Sequence, residues 1–168
     1  EALLALATTT PDPKARVLSW GRYIARYGDT PGHDYPRIAE QLRAGRSLAE
    51  LYLEGDGISH LDNGIVRMFG KELGPVGSVG EATLQRAIDN VSRYFDYVGH
   101  VDRFDASMRR IAAILGRPWS GVDRKNESPG GRSERMAVSA AEDAWLDECT
   151  EFDRRFVQWV VERFHRGD

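Results

Sequence analysis

The residues best suited to chemistry lie in the run TTTPDPKARVLSWGRY, where an apolar, threonine-rich stretch stops at Pro-Asp-Pro and turns into an amphipathic helix. Asp12 is typical of a helix N-cap, and the proline after it suits the first helical position because it lacks an N–H. A strand that leads into a helix presents backbone N–H groups and the positive end of the helix dipole, which together suit a phosphate. Ser19 can add a hydroxyl there, and Lys14 or Arg16 a charge. The alternative is an ordinary capped helix with basic residues on its surface.

Other local signatures of catalysis are absent, since the sequence has no GxGxxG, GxxxxGKS, HExxH, CxxC or GxSxG motif. The four histidines are scattered singly along the chain, so they predict no metal site. His60 follows a glycine-rich turn and is either a general base or an exposed loop residue without a task. Cys149 falls on the apolar stripe of a helix and is interpreted as a small buried hydrophobic side chain. The acidic residues of DAWLDECTEFD, 143–153, are interpreted as the solvated face of that helix.

The turn at Asp12 requires a strand before it and a helix after it, and the pattern predicts a strand over 2–10 and a helix over 13–27. Three SxxE segments are capping boxes and predict three further helix starts, at 47–50, 78–81 and 139–142. The third start opens the longest helix. Its apolar stripe comprises Trp145, Cys149, Phe152, Phe156 and Trp159 or Val160.

The remaining segments follow from the same periodicities. They are helices over 37–44, 61–70 and 102–115, a short strand over 95–101 and a polar loop over 117–135. In the helix over 102–115 the side chains expected to face inward are Phe104, Met108, Ile111 and Leu115. The chain is therefore expected to be mainly α-helical with one or two short strands, and to form a single domain over 1–168.

Composition limits the classes of function. At 168 residues the chain can bury about 70% of the surface of its unfolded form in one core. A net charge of −3 argues against a nucleic-acid partner, and no apolar stretch is long enough for a membrane span. The single cysteine allows no disulfide within the chain, which favours a reducing, cytoplasmic location. The composition leaves a homo-oligomer open.

Four blocks of the sequence resemble the carbohydrate-type sulfotransferases that use 3′-phosphoadenosine 5′-phosphosulfate (PAPS). DPKARVLSWGRY resembles their RDPxxRxxSxY motif, and LDNGIVRMF resembles their next helix. LQRAIDNVSRYFDYVGHVDRFDASMRRIAAILG is similar to their helix, FDFVG strand, TERFD and helix. NESPGGR with FDRRFVQWVVERF resembles their C-terminal ending. The resemblance implies the C-terminal part of the α/β, P-loop-like sulfotransferase fold.

The resemblance also implies an activity, the transfer of a sulfuryl group from PAPS to a hydroxyl of a carbohydrate or small metabolite, without a metal. It assigns the 3′-phosphate to Arg16 and Ser19, and Asp12 and Lys14 complete the set of predicted cofactor-binding residues. The leading arginine of the motif is replaced by Pro11. Substrate contacts are predicted for the basic residues of the later blocks and of the loop, namely Arg67, Arg124, Lys125 and Arg132. The alternative for the three residues of the loop is that they are solvated and contact no ligand.

In that family the loop around the 5′-phosphosulfate and the catalytic base precede the RDPxxRxxSxY motif. The sequence is therefore expected to represent the C-terminal part of such an enzyme, inactive alone, and it leaves the catalytic residues unassigned. The alternative is a non-catalytic helical binding or assembly module derived from the same fold, in which Pro11 marks a lost cofactor site.

Overall fold

The computed structural model describes residues 4–5, 12–32, 35–54, 61–121 and 138–166. This part of the chain is mainly helical, as the sequence predicts. Its α-helices, numbered in chain order, are α1 (Pro13–Tyr27), α2 (Pro36–Arg43), α3 (Leu48–Leu53), α4 (Gly64–Gly70), α5 (Glu81–Tyr94), α6 (Phe104–Ile114), α7 (Ala140–Cys149) and α8 (Glu151–Phe164). None of these helices combines the length and the hydrophobicity that a membrane crossing requires.

Two short strands pair in parallel, and both fall inside segments that the sequence predicts as strands. β1 (Leu4–Ala5) lies beside β2 (Tyr97–Val98), with Leu4 opposite Tyr97 and Ala5 opposite Val98. A turn of 3-10 helix, Val101–Arg103, links β2 to α6. The remainder of the predicted strand over 2–10 lies outside the described residues.

In the described part of the chain, the buried side chains form two core clusters. The first joins α4, α5 and α8 through Ile65, Val66, Phe69, Leu84, Ala87, Val91, Phe156, Val157 and Val160. The second joins α1, α2, α3 and α7 through Val17, Ile24, Ile38, Ala39, Leu48, Leu51, Leu146 and Cys149. The consecutive helices α7 and α8 thus pack into different clusters, so the short connection between them lies where the two clusters meet.

Helix α1 has the bounds that the sequence predicts, from Asp12 at the N-cap to Gly28 after its last turn. The capping box of α3 is also confirmed: Ser47 Oγ accepts the N–H of Glu50 at 3.2 Å, and a carboxylate oxygen of Glu50 accepts the N–H of Ser47 at 2.8 Å. At the start of α7, Ser139 Oγ accepts a backbone N–H in the same way.

The capping box predicted at 78–81 is wrong. Helix α5 begins at Glu81 with Gly80 as its N-cap, and no side chain caps it. A capping box needs Ser78 as the N-cap and Glu81 at the third helical position, but Glu81 is the first residue of the helix, and its carboxylate binds the guanidinium of Arg155 on α8.

The prediction of one long helix from 139 onward is also wrong, since the segment forms two helices that meet at Thr150. Helix α7 ends at Cys149, Thr150 leaves the helical region with φ −122° and ψ 11°, and α8 starts at Glu151. Thr150 Oγ1 donates to the carbonyl of Leu146 at 2.6 Å, which satisfies one acceptor of the last turn of α7.

Helix α6 buries its apolar side only in part. Phe104, Met108 and Ile111 are half-buried, whereas Leu115 is 50% exposed. The prediction that Leu115 faces inward is wrong, because α6 ends at Ile114 and Leu115 belongs to the turn after it.

Candidate functional site

The start of α1, where the sequence predicts a phosphate, carries a carboxylate. Asp12 Oδ1 accepts the backbone N–H of Lys14 at 2.9 Å, so one of the N–H groups at this helix end is already bonded. The Asp12 side chain is exposed. An anion that approached this helix end would therefore meet the negative charge of Asp12 together with the favourable helix dipole.

Lys14 points from α1 to α7 and binds two carboxylates there. Its Nζ lies 3.0 Å from Asp143 Oδ1 and 2.8 Å from Asp147 Oδ2. The hydrogen bond with Asp147 is the main reason that the pKa of Lys14 is raised, and the bond with Asp143 adds to it. Lys14 is thus engaged in joining α1 to α7.

Arg16 and Ser19 lie one turn apart on the same side of α1, because residues three apart are neighbours on a helix surface. The hydroxyl-bearing side chain of Ser19 is exposed, and 23% of the Arg16 side chain is exposed. The Nη2 atom of Arg16 lies 3.3 Å from Oδ2 of Asp153 on α8. Arg16 and Ser19 each carry a donor and are at least partly exposed to solvent.

The contact of Arg16 leads to a buried junction between α4 and α8, in which each helix caps the other. Asp153 accepts the N–H of Ile65 at 3.2 Å and that of Val66 at 2.8 Å, in the first turn of α4. Asn63 Oδ1, just before α4, accepts the N–H of Phe152 at 2.8 Å and that of Asp153 at 3.1 Å, in the first turn of α8. Both N-termini are therefore satisfied by a side chain from the other helix start.

Asn63 also explains why the chain breaks between α7 and α8. In a continuous helix the N–H of Asp153 would donate to the carbonyl of Cys149. Here the carbonyl of Cys149 accepts the N–H of Asn63 at 2.7 Å, and the N–H of Asp153 donates to Asn63 Oδ1. Asn63 is thus inserted into the ladder of helix hydrogen bonds, and it does so in the left-handed conformation, with φ 50° and ψ 47°.

Among the described residues of this junction, Asp153 and Arg16 are the two with ionisable side chains. The Asp153 side chain is completely buried. Burial raises the pKa of the Asp153 carboxyl, while the Arg16 guanidinium and the N–H groups of Val66 and Ile65 act in the opposite direction. The prediction of a solvated acidic face over 143–153 is therefore wrong for Asp153, although Asp143 is exposed.

Arg67, predicted to contact substrate, is buried in α4 with 6% of its side chain exposed. Its Nη2 atom donates to Asp62 Oδ2 at 2.6 Å and to the carbonyl of Pro75 at 2.7 Å. Its Nη1 and Nε atoms donate to the carbonyls of Gly74 and Asp62, both at 2.8 Å. These contacts give Arg67 a structural task, which is to fasten the loop after α4, and its contact with substrate stays a prediction.

The histidines of the described part of the chain come together as a pair. The rings of His100 and His165 are both buried, with their centroids 5.9 Å apart, and His165 Nε2 lies 3.0 Å from the carbonyl oxygen of Val98. Burial lowers the pKa of His100. Nowhere in the described ranges do three or more His, Cys, Asp or Glu residues form a group that could hold a metal ion.

Cys149 is buried, with 3% of its surface exposed, as the sequence predicts. Burial raises the pKa of its thiol to about 12, so the residue is a neutral packing group at neutral pH. The residues Pro11, His60, Arg124, Lys125 and Arg132 lie outside the described residues. Their assigned roles stay predictions.

No protein-family model, curated protein or solved structure matches the chain. The suggested relationship to sulfotransferases therefore rests on the four sequence blocks alone, and the fit to a phosphate must be judged from the contacts of α1. Arg16 and Ser19 carry donors that suit such a group, since a guanidinium and a hydroxyl donate to phosphate oxygens, although Arg16 also contacts one carboxylate, that of Asp153. Asp12 fits it poorly because its carboxylate occupies the helix end, and Lys14 because two carboxylates bind it.

Sequence reasoning missed the two residues that organise this region, Asn63 and Asp153. Their local signals are present: Asn63-Gly64 is a turn-forming pair before a helical pattern, and Asp153 is an acid in the first turn of α8. Their partners lie 87 to 90 residues away, so no local pattern joins the two.

Proposed function

We propose that the chain is the 3′-phosphate-binding part of a sulfotransferase, which moves a sulfuryl group from PAPS to a hydroxyl of a carbohydrate or small metabolite. The observation that carries this proposal is the pair of donors on α1. Arg16 and Ser19 stand at the two positions of the DPKARVLS run that correspond to the arginine and serine of RDPxxRxxS, one turn apart and in reach of solvent.

The residues of this chain then bind and orient the cofactor, which supplies the activated sulfuryl group. Ser19 donates its hydroxyl to the 3′-phosphate, and Arg16 adds a charge-assisted hydrogen bond of about 1.5 to 3 kcal/mol. Lys14 acts indirectly, because its contacts with Asp143 and Asp147 hold α1 against α7. Pro11 in place of the leading arginine removes a second charged donor, so the affinity is expected to be lower than with both arginines.

Calorimetric titration with 3′-phosphoadenosine 5′-phosphate tests the proposal. We expect binding to the wild-type chain, and Ser19→Ala should weaken it about tenfold, which is about 1.4 kcal/mol. Ser92→Ala, which removes an exposed hydroxyl from α5, is the matched control and should leave the affinity unchanged. Adenosine 5′-phosphate lacks the 3′-phosphate, so its weaker binding should be the same for Ser19→Ala and the wild type.

Absence of binding at about 1 mM of 3′-phosphoadenosine 5′-phosphate would reject this function for a folded chain. That result would instead support the second candidate, a non-catalytic helical binding or assembly module. The observation in its favour is that Lys14 and Arg16 both bind carboxylates, those of Asp143, Asp147 and Asp153. In that case the basic residues of α1 serve to pack it against α7 and α8.

A further inference from the structure

The guanidinium of Arg16 lies in a narrow space at the start of α4, which a glycine keeps open. A Cβ atom on Gly64 would lie 3.0 Å from Nη2, 3.3 Å from Nη1 and 3.4 Å from Cζ of Arg16. The distances to Nη2 and Nη1 are shorter than ordinary van der Waals contact, so a Cβ atom at position 64 would shift the guanidinium by a few tenths of an ångström. Gly64 therefore determines how close Arg16 comes to the backbone of α4.

One edge of the same guanidinium contacts Asp153, whose own position is fixed independently of Arg16. The carboxylate of Asp153 accepts N–H groups from Ile65 and Val66 of α4. The N–H of Asp153 donates to Asn63 Oδ1. Because both ends of Asp153 are bonded to the segment around the start of α4, the carboxylate presents a rigid acceptor to Arg16 at 3.3 Å.

We propose that Asp153 and Gly64 are positioning residues for Arg16: Asp153 orients its guanidinium and Gly64 leaves the room for it, so that the arginine on α1 is held in the place from which it binds phosphate. This inference rests on the proposed function for its ligand. The inference goes beyond the proposed function because it assigns a role to two residues that do not contact the phosphate. The Arg16 side chain is 23% exposed to solvent, and Asp153, whose own side chain is completely buried, contacts its Nη2 atom.

Gly64→Ala is the sharpest test, because it moves the guanidinium without changing any charge or removing any hydrogen-bonding group. Gly80→Ala is the matched control, since Gly80 also stands at a helix start and a Cβ atom there meets nothing within 4 Å. We expect Gly64→Ala to weaken the binding of 3′-phosphoadenosine 5′-phosphate about tenfold, and Gly80→Ala to leave it unchanged. The affinity for adenosine 5′-phosphate should be the same in both variants, because the effect is confined to the 3′-phosphate.

A loss that merely reflected a damaged fold would weaken both nucleotides and lower the unfolding midpoint. Equal affinity of Gly64→Ala and wild type for 3′-phosphoadenosine 5′-phosphate would overturn the positioning role while leaving the proposed function intact. Conversely, a wild-type chain that binds no nucleotide rejects the proposed function, and the positioning role is then decided without a ligand.

Side-chain NMR of the Arg16 guanidinium supplies that second measurement. The signal is assigned by its loss in Arg16→Lys. In the wild type, a guanidinium held by Asp153 should give separate Nη–H signals. In Gly64→Ala these signals should shift, because the added Cβ atom moves the guanidinium relative to Asp153. In Asp153→Asn they should merge, because the carboxylate that restricts rotation is lost. Unchanged Arg16 signals in Gly64→Ala would overturn the inference, even if Asp153→Asn proved too unstable to measure.

Discussion

The start of α1 and the junction between α4 and α8 bond the N–H groups at their helix starts in different ways. At α1 the exposed carboxylate of Asp12 caps its own helix, two residues from the N–H that it accepts. At the junction, Asn63 and Asp153 cap each other's helices from 87 to 90 residues away and are buried. The first cap is a local property of the sequence, whereas the second exists only after the chain has folded.

The difference has an energetic consequence. When an exposed cap is lost, water can satisfy the helix N–H groups, so the cost is small. When a buried cap is lost, the N–H groups are left without a partner and retain the full cost of desolvation. Arg16 joins the two regions, because its backbone lies near the start of α1 and its guanidinium contacts Asp153.

Asp153→Ala is expected to have the largest effect on the free energy of unfolding. It removes the acceptor of two helix N–H groups and leaves the Arg16 guanidinium without this buried carboxylate, which costs about 3 to 5 kcal/mol. Asp12→Ala is the counterpart at α1 and should cost about 1 kcal/mol. Urea denaturation followed by circular dichroism measures both. If both variants lost the same free energy of unfolding, the buried junction would contribute no more to stability than the exposed cap.

Asn63→Gly is expected to have the next largest effect, about 1 to 3 kcal/mol, because the N–H groups of Phe152 and Asp153 lose their acceptor. Glycine adopts the left-handed conformation of position 63 without strain, so this variant isolates the loss of the side chain. Asn63→Ala should cost about 1 kcal/mol more, owing to the left-handed backbone. If alanine and glycine were equally destabilising in the same denaturation experiment, the left-handed backbone at position 63 would carry no cost for alanine.

The same contrast explains how much could be predicted from the sequence. The bounds of α1 and its N-cap follow from Asp12, the proline after it and Gly28, all of which act within the helix or next to it. The capping box of Ser47 and Glu50 follows for the same reason. These features depend on residues at most a few positions apart, so the sequence pattern contains them.

The candidate site is harder to predict because its contacts join residues that are far apart in the sequence. The periodicity of the apolar residues continues through Thr150, and nothing in it indicates that Asn63 interrupts the helix there. The SxxE pattern predicts that Glu81 bonds back to its own helix start, but Glu81 binds Arg155. Likewise, the positions of Arg16 and Ser19 on one side of α1 follow from their spacing, whereas the contact of Arg16 with a buried carboxylate does not.

The smallest effects are expected from pH, and they should separate an exposed acid near α1 from the buried acid of the junction. Bonding to Lys14, supported by Arg154, lowers the pKa of Asp147, whereas burial raises that of Asp153. The stability from Asp147 is therefore present above the unfolded pKa near 3.8 and lost as the pH falls through the lower folded value. For Asp153 the sign is opposite, since the folded chain holds its proton more tightly and this contribution declines as the pH rises through the raised value. Carboxyl carbon NMR should show Asp147 titrating below Asp153, and Lys14→Ala should raise the pKa of Asp147 without changing that of Asp153. A joint titration of these two acids would contradict the contrast between the regions.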